Sequence, residues 1–340
     1  MISAAAIKDR AREAGFDACG IARADRLPRL ARLSSWIDEG CAGEMTYLAE
    51  SLDERLDPRV FLPTARSVIS VACVYNSADA PAPAGAGARI ARYARGEDYH
   101  DVMRRRLRAF VTWMAGKIPG LEALTCVDDG PVQERAFAEQ AGLGWIGKNT
   151  CLISPTLGSW LVLGEMVTNA DLPPDPPAVD QCGTCTRCLD ACPTGAIVRP
   201  YTVDATRCLS YLTIEVRGAV AEPHRRAIRD EIFGCDICQD VCPWNRRAAA
   251  SDDPAWQPRA AAQPSSILEW CRRPDDEWRA LIRGSALRRA GLRRLRRSLA
   301  YAAASLAPSE RAAALDALAR HPSGGDGLVA DAIAWARRVG

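Results

Sequence analysis

The chain has 340 residues, 48% of them hydrophobic and 25% charged, with a formal net charge of +2. That make-up belongs to a folded globular protein and excludes a disordered, fibrous or collagen-like chain; the length suits two or three compact units sharing a continuous body. No apolar run is long enough to span a bilayer, and residues 1–10 lack the basic flank and cleavage site of an export signal. Fourteen cysteines are then expected in a reducing, cytoplasmic setting, where thiolates ligate metal more readily than they pair.

In chain order, residues 1–171 mix helical and strand periods in the manner of an α+β or α/β domain. Apolar residues recur at helical spacing over 2–14 and 99–117, whereas 67–75 (SVISVACVY) is a β-branched strand and 121–127 a second one. Residues 81–87 (PAPAGAG) form a loop by composition. The Pro-rich stretch 172–177 opens a second unit, 172–247, dense in cysteine. The third unit, 248–340, starts with a loop-like stretch to Pro264. Ser266 and Glu269 then stand at capping-box spacing. Helices are expected at 278–283, 287–306, 311–320 and 328–339, in pairs that suggest helical repeats. Residues 283–297 hold seven arginines and no acid, so an anionic partner is expected there rather than a merely solvated face, which would interleave both signs.

Cys182-x2-Cys185-x2-Cys188-x3-Cys192-Pro193 is the bacterial ferredoxin run, in which three thiolates hold one [4Fe–4S] cluster and the fourth reaches the other. Cys235-x2-Cys238-x3-Cys242-Pro243 supplies only three cysteines, and Cys208 completes the count. The crossover rule assigns Cys182, Cys185, Cys188 and Cys242 to one cluster, and Cys192, Cys208, Cys235 and Cys238 to the other. Tetrahedral zinc is the competing reading of Cys-x2-Cys pairs, but two Cys-x3-Cys-Pro endings favour clusters. Cys19, Cys41, Cys73, Cys126, Cys151 and Cys271 sit among apolar neighbours and read mostly as buried thiols. Clusters pass single electrons, so bond chemistry needs another group.

Asp128 and Asp129 stand at the exit of a predicted strand, ahead of a turn and a helix. One of them could act as a general acid or could cap the helix. Gly142-x-Gly144-x-x-Gly147 has fingerprint spacing but no strand–turn–helix frame, so no dinucleotide is inferred.

The segments ARYARGEDYHDVM, VDDGPVQERAFAEQAGLGWIGKN and CLSYLTIEVRG, together with the eight-cysteine module, resemble the epoxyqueuosine reductase family over essentially the whole chain. The resemblance implies reduction of epoxyqueuosine to queuosine at the tRNA wobble position by an iron–sulfur and cobalamin enzyme, fed by an external electron donor and acting as a monomer without a membrane. It implies an α+β architecture: an N-terminal α/β cobalamin-binding domain related to reductive dehalogenases, a ferredoxin-like module and C-terminal HEAT-like repeats. It makes Asp128 the proton donor, since Asp129 falls where related sequences carry a small residue. It places cobalamin contacts at Arg55, Arg92, Tyr99, His100, Asp128, Gly147, Lys148, Asn149 and Ser154. Asp98-Tyr99-His100 is followed by Met103 where a cobalamin-ligating histidine motif would need glycine, so His100 is expected as a polar or structural residue. The tRNA backbone is expected on Arg217, Arg288, Arg289, Arg293, Arg294, Arg296 and Arg297. A reductive dehalogenase and a pure electron-transfer protein are the alternatives.

Overall fold

The computed structural model describes residues 2–78, 87–262 and 265–339. Most of the expected loop at 81–87, together with Pro264, lies outside the described residues.

The β-branched run becomes the strand Ser67–Val74, buried along its whole length because it is an interior strand. It pairs antiparallel with Ala18–Arg23 on one side and Leu161–Thr168 on the other, and Ala123–Cys126 pairs with the far side of Leu161–Thr168. The result is a four-stranded antiparallel sheet. Alternation divides the side chains between two faces. Ile69, Val71, Cys73 and Met166 join the core formed with helices Ala4–Glu13 and Tyr99–Ala115. Val68, Ala72, Leu163 and Val167 pack with helix Glu134–Gln140 on the other face.

Helix Tyr99–Ala115 buries one stripe, Val102, Met103, Leu107, Phe110 and Met114. Its N-cap is Asp98, whose carboxylate accepts the His100 N–H at 3.1 Å. That cap fixes Tyr99 and His100 in the first turn, at the end of the sheet where Asp128 emerges.

In the cysteine-rich segment two short helices, Arg187–Ala191 and Ile237–Asp240, each run into a Cys-Pro step and pack against one another. Glu231–Phe233 pairs in parallel with Arg89–Ile90 from the first unit, and the buried Arg89–Glu231 ion pair, 3.1 Å, lies across that junction. The tail begins with the capping box of Ser266 and Glu269 on helix Ile267–Arg272. The helix expected over 287–306 is interrupted: a short 3₁₀ turn, Ala286–Arg289, precedes Gly291 at φ 68°, and helix Gly291–Ala303 starts there. Helix Gly291–Ala303 packs on Gly327–Arg338 and on the Glu231–Phe233 strand. One apolar cluster runs from Ile7 through Phe233 to Trp270, Trp278 and Trp335, so the three segments share a core. Among the described residues no helix is long and apolar enough to cross a membrane.

Candidate redox and acid site

The structure gathers Cys182, Cys185, Cys188 and Cys242 around one cavity of about 40 Å³, with Lys148, Asn149 and Trp244 completing the wall. These are the four thiols the crossover rule groups together. Donors already aim at the sulfurs: the Trp145 indole N–H meets Cys182 Sγ at 3.4 Å, and the Ala196 N–H meets Cys192 Sγ at 3.2 Å. In the second set, Cys208 and Cys235 lie close enough to influence one another, as do Cys238 and both of them, and Cys192 acts on Cys208. Burial pushes the Cys208 and Cys235 thiols up. Thiolates in such a place need the positive charge of bound iron. All-sulfur donors spread around a cavity, with N–H groups pointing inward, fit a cluster.

From this module an aromatic series leads back to the sheet. Phe233, two residues before Cys235, lies 6.2 Å from Tyr93, and Tyr93 lies 5.7 Å from Tyr99, centroid to centroid. The Tyr99 hydroxyl donates to Asp128 Oδ2 at 2.5 Å. Asp128 follows strand Ala123–Cys126 with φ 58°, a left-handed conformation that short polar side chains tolerate better than most. Its side chain keeps 64% exposure, and its backbone N–H donates to Glu134 Oε1 at 2.6 Å. Asp129 is held elsewhere, by the Arg104 guanidinium and by the Val127 N–H at 3.1 Å.

His100 stacks on Tyr99, with ring centroids 4.0 Å apart. Its Nδ1 lies 2.7 Å from Asp98 Oδ1 and its Nε2 is 4.0 Å from Asp128 Oδ2. Burial disfavours the Asp98 charge, yet the His100 bonds and the Arg288 guanidinium, 2.9 Å away, outweigh it and hold this carboxyl below the usual range. The Arg55 and Arg289 guanidinium groups lie 5.7 and 6.0 Å from the Tyr47 ring centroid, and both feel the Asp128 charge. Asp128 thus opens onto a rim of tyrosine and arginine. Tyr47 and Glu134 were not singled out from sequence: Tyr47 stands on a four-residue helix with no periodic signal, and Glu134 resembles an ordinary first-turn acid.

Several expected contacts lie elsewhere. Arg92 is a strut between units, bonded to Asn76 Oδ1 at 2.7 Å and Asp240 Oδ1 at 3.0 Å, with its guanidinium 4.2 Å from the Trp160 ring centre. Lys148 donates to the carbonyls of Gly183 (2.6 Å) and Cys185 (2.9 Å), clamping the first cysteine loop. Asn149 lies between the Cys151 N–H and the Cys238 carbonyl. A Cβ at Gly147 would meet Ile153 Cδ1 at 2.4 Å, so that glycine serves internal packing. Ser154 is buried and faces Thr156. The side chains of Arg92, Lys148, Asn149 and Ser154 make these bonds within the protein, with Lys148 and Asn149 at the cysteine cradle.

The arginine run also divides. Arg296 and Arg297 are fully buried: Arg296 pairs with Asp275 at 2.5 Å, and Arg297 donates to the carbonyls of Leu212, Val216 and Gly218. They are structural, which corrects the expectation that they meet phosphate. Arg294 is half-buried and bonded to the carbonyls of Ala290 and Ile214. Arg217, Arg288, Arg289 and Arg293 stay exposed. Arg289 borders the Asp128 rim, and Arg288 pairs with Asp98 behind His100.

Eight thiols in two sets, with an aromatic series from the Cys235 side to an acid, are the parts of an iron–sulfur oxidoreductase. Residues 181–245 match the 4Fe-4S double cluster binding domain, and residues 55–129 match the family described as epoxyqueuosine reductase QueG, DUF1730. The epoxyqueuosine reductase of Xanthomonas campestris pv. campestris is 40% identical over 339 residues, covering 98% of this chain and 95% of its own. That of Gloeobacter violaceus is 46% identical over 310 residues, covering 87% and 95%. A crystal structure of an epoxyqueuosine reductase with a tRNA-Tyr epoxyqueuosine-modified stem loop has a TM-score of 0.86 at 30% identity, covering 97% of this chain and 88% of that one. The chain belongs to the epoxyqueuosine reductase family.

Proposed function

We propose that this protein reduces epoxyqueuosine to queuosine in tRNA, in the cytoplasm, with Asp128 as the proton donor. The observation that carries this reading is the placement of one exposed acid at the end of an aromatic series leading from the cysteine module. Removing an epoxide oxygen to leave an alkene takes two electrons and two protons and releases water. A one-electron relay beside an acid matches that demand.

Family membership supports cobalamin as the group at the Asp128 mouth, with Arg55 and Tyr99 beside it. Its chemistry, when bound, is two-electron attack on a strained carbon–oxygen bond. The residues fit a cofactor held without a histidine ligand: His100 directs one ring nitrogen to Asp98 and the other toward Asp128. Tyr99 orients the Asp128 carboxyl, and Asp98 fixes His100. The exposed Arg217, Arg288, Arg289 and Arg293 would contact phosphates around the mouth, positioning the anticodon loop while the pocket reads the base. The paired helices of the tail are read as HEAT-like repeats. A pure electron-transfer role would leave the Asp128 site without a task.

The test is anaerobic incubation with reduced methyl viologen, cobalamin and epoxyqueuosine-bearing tRNA, followed by nucleoside analysis. Queuosine should replace epoxyqueuosine. Unchanged epoxyqueuosine with fully loaded clusters and bound cobalamin would reject the reading.

A further inference from the structure

Resting on the functional reading above, a second acid lies behind the first. The reaction consumes two protons: both carbon–oxygen bonds of the epoxide break, a carbon–carbon double bond forms, and the oxygen leaves as water. The two electrons come from the clusters, which a low-potential one-electron donor refills. A carboxylic acid carries one proton at a time. With a tRNA loop covering the mouth, the second proton must reach Asp128 from the protein side.

Glu134 occupies that side. Its Oε1 accepts the Asp128 backbone N–H at 2.6 Å, and the two side chains are near enough for the Asp128 charge to act on Glu134. Behind it, the second core meets the sheet where Glu165 stands opposite Ser70 on one strand and Cys126 on the other. Glu165 is wholly buried beside the Ser70 side chain, and burial pushes its carboxyl well above the usual range. Such a wall favours neutral carboxyls. The groups that bear on Glu134 are Asp128 and Asp129 from the loop, Arg135 on its own helix, Glu165 from the sheet, Tyr99 from the long helix and Cys126 from the edge strand. Burial first, and the Asp128 charge next, push the Glu134 carboxyl up to about 8, against the Asp128 N–H and Arg135.

We propose that Glu134 is the proton store of the site: it anchors the Asp128 loop through the backbone N–H, keeps its proton while Asp128 delivers the first one to substrate, and then passes it to the ionised Asp128 as the second. Glu134 acts through Asp128 and does not touch substrate.

Glu134→Gln separates anchoring from storage, because the amide oxygen still accepts the Asp128 N–H while the group has no carboxylic proton. With reduced methyl viologen as donor and an epoxyqueuosine-modified stem loop as substrate, E134Q should lose about 10- to 100-fold in kcat at unchanged iron content and stem-loop affinity. The protonated form is present below its pKa, so the wild-type rate should fall as pH rises through about 8, and E134Q should lack that limb. An E134Q rate within about twofold of wild type, the same alkaline limb in E134Q, or a flat wild-type profile would each overturn the store. Infrared titration reads the same group without turnover, and comparison with E134Q separates it from Glu231, which is also pushed up to about 8. A protonated-carboxyl band that fades near pH 8 in wild type and is missing from E134Q supports the proposal, and wild-type and E134Q spectra with the same bands at about pH 7 refute it. If that band is present and wild type forms no queuosine, the functional reading fails while the protonated Glu134 stands.

Discussion

Asp128 and Asp129 are neighbours in the chain with opposite environments. Asp129 is tied to Arg104, 25 positions away in sequence, while Asp128 stays open and is oriented by Tyr99. Two adjacent acids before a helix are legible as a candidate pair; which one is free is not, because the partner that occupies Asp129 comes from another element. Tyr99→Phe removes one bond to the Asp128 carboxyl, worth about 1.5–3 kcal/mol for a charged acceptor. Anaerobic turnover should therefore fall at least about tenfold, with little change in KM for the stem loop. Asp129→Asn breaks a half-exposed pair worth about 0–1 kcal/mol and should leave turnover within a few-fold of wild type. A large loss in Asp129→Asn with full activity in Tyr99→Phe would reverse the assignment.

The arginine run over 283–297 shows how a correct composition can mislead about exposure. Its arginines have no acid within the run, and this suggested a surface waiting for phosphate. The acids arrive from other elements instead: Asp275 for Arg296, Glu215 for Arg289, Asp326 for Arg293 and Asp98 for Arg288. Local spacing cannot reveal such partners. Burial pulls Arg297 down to about 10, and its guanidinium satisfies three carbonyls from the segment after Cys208. Arg297→Met should cost about 3 kcal/mol in urea unfolding, since each stranded buried carbonyl costs about 1–3 kcal/mol. The exposed pair behaves differently. Arg217→Gln with Arg293→Gln should leave unfolding nearly unchanged and flatten the salt dependence of tRNA binding by a log–log slope of about 1–2. An unchanged slope would place the tRNA on another surface.

Across the molecule the cysteine module is the hinge of the design: it joins the sheet domain through a parallel strand pair, and its core is continuous with the tail tryptophans. The double-cluster module was readable because cluster binding imposes a fixed spacing on the Cys182–Cys192 and Cys235–Cys242 runs. The junction itself was not readable, since Arg89–Ile90 and Glu231–Phe233 are far apart in sequence and too short to carry a pattern. Iron and sulfide should approach about eight of each per chain, and Cys208→Ser should lower iron toward about four. The central claim is that electrons from these clusters and a proton through Asp128 meet on one base. It is tested most directly by a donor-free single turnover: enzyme is reduced anaerobically in the presence of cobalamin, freed of excess reductant, mixed with epoxyqueuosine-bearing tRNA, and the nucleosides are analysed. Wild type should form up to about one queuosine per chain, and Asp128→Asn, with the same iron content, about 100-fold more slowly. Equal rates from the two proteins would contradict the account.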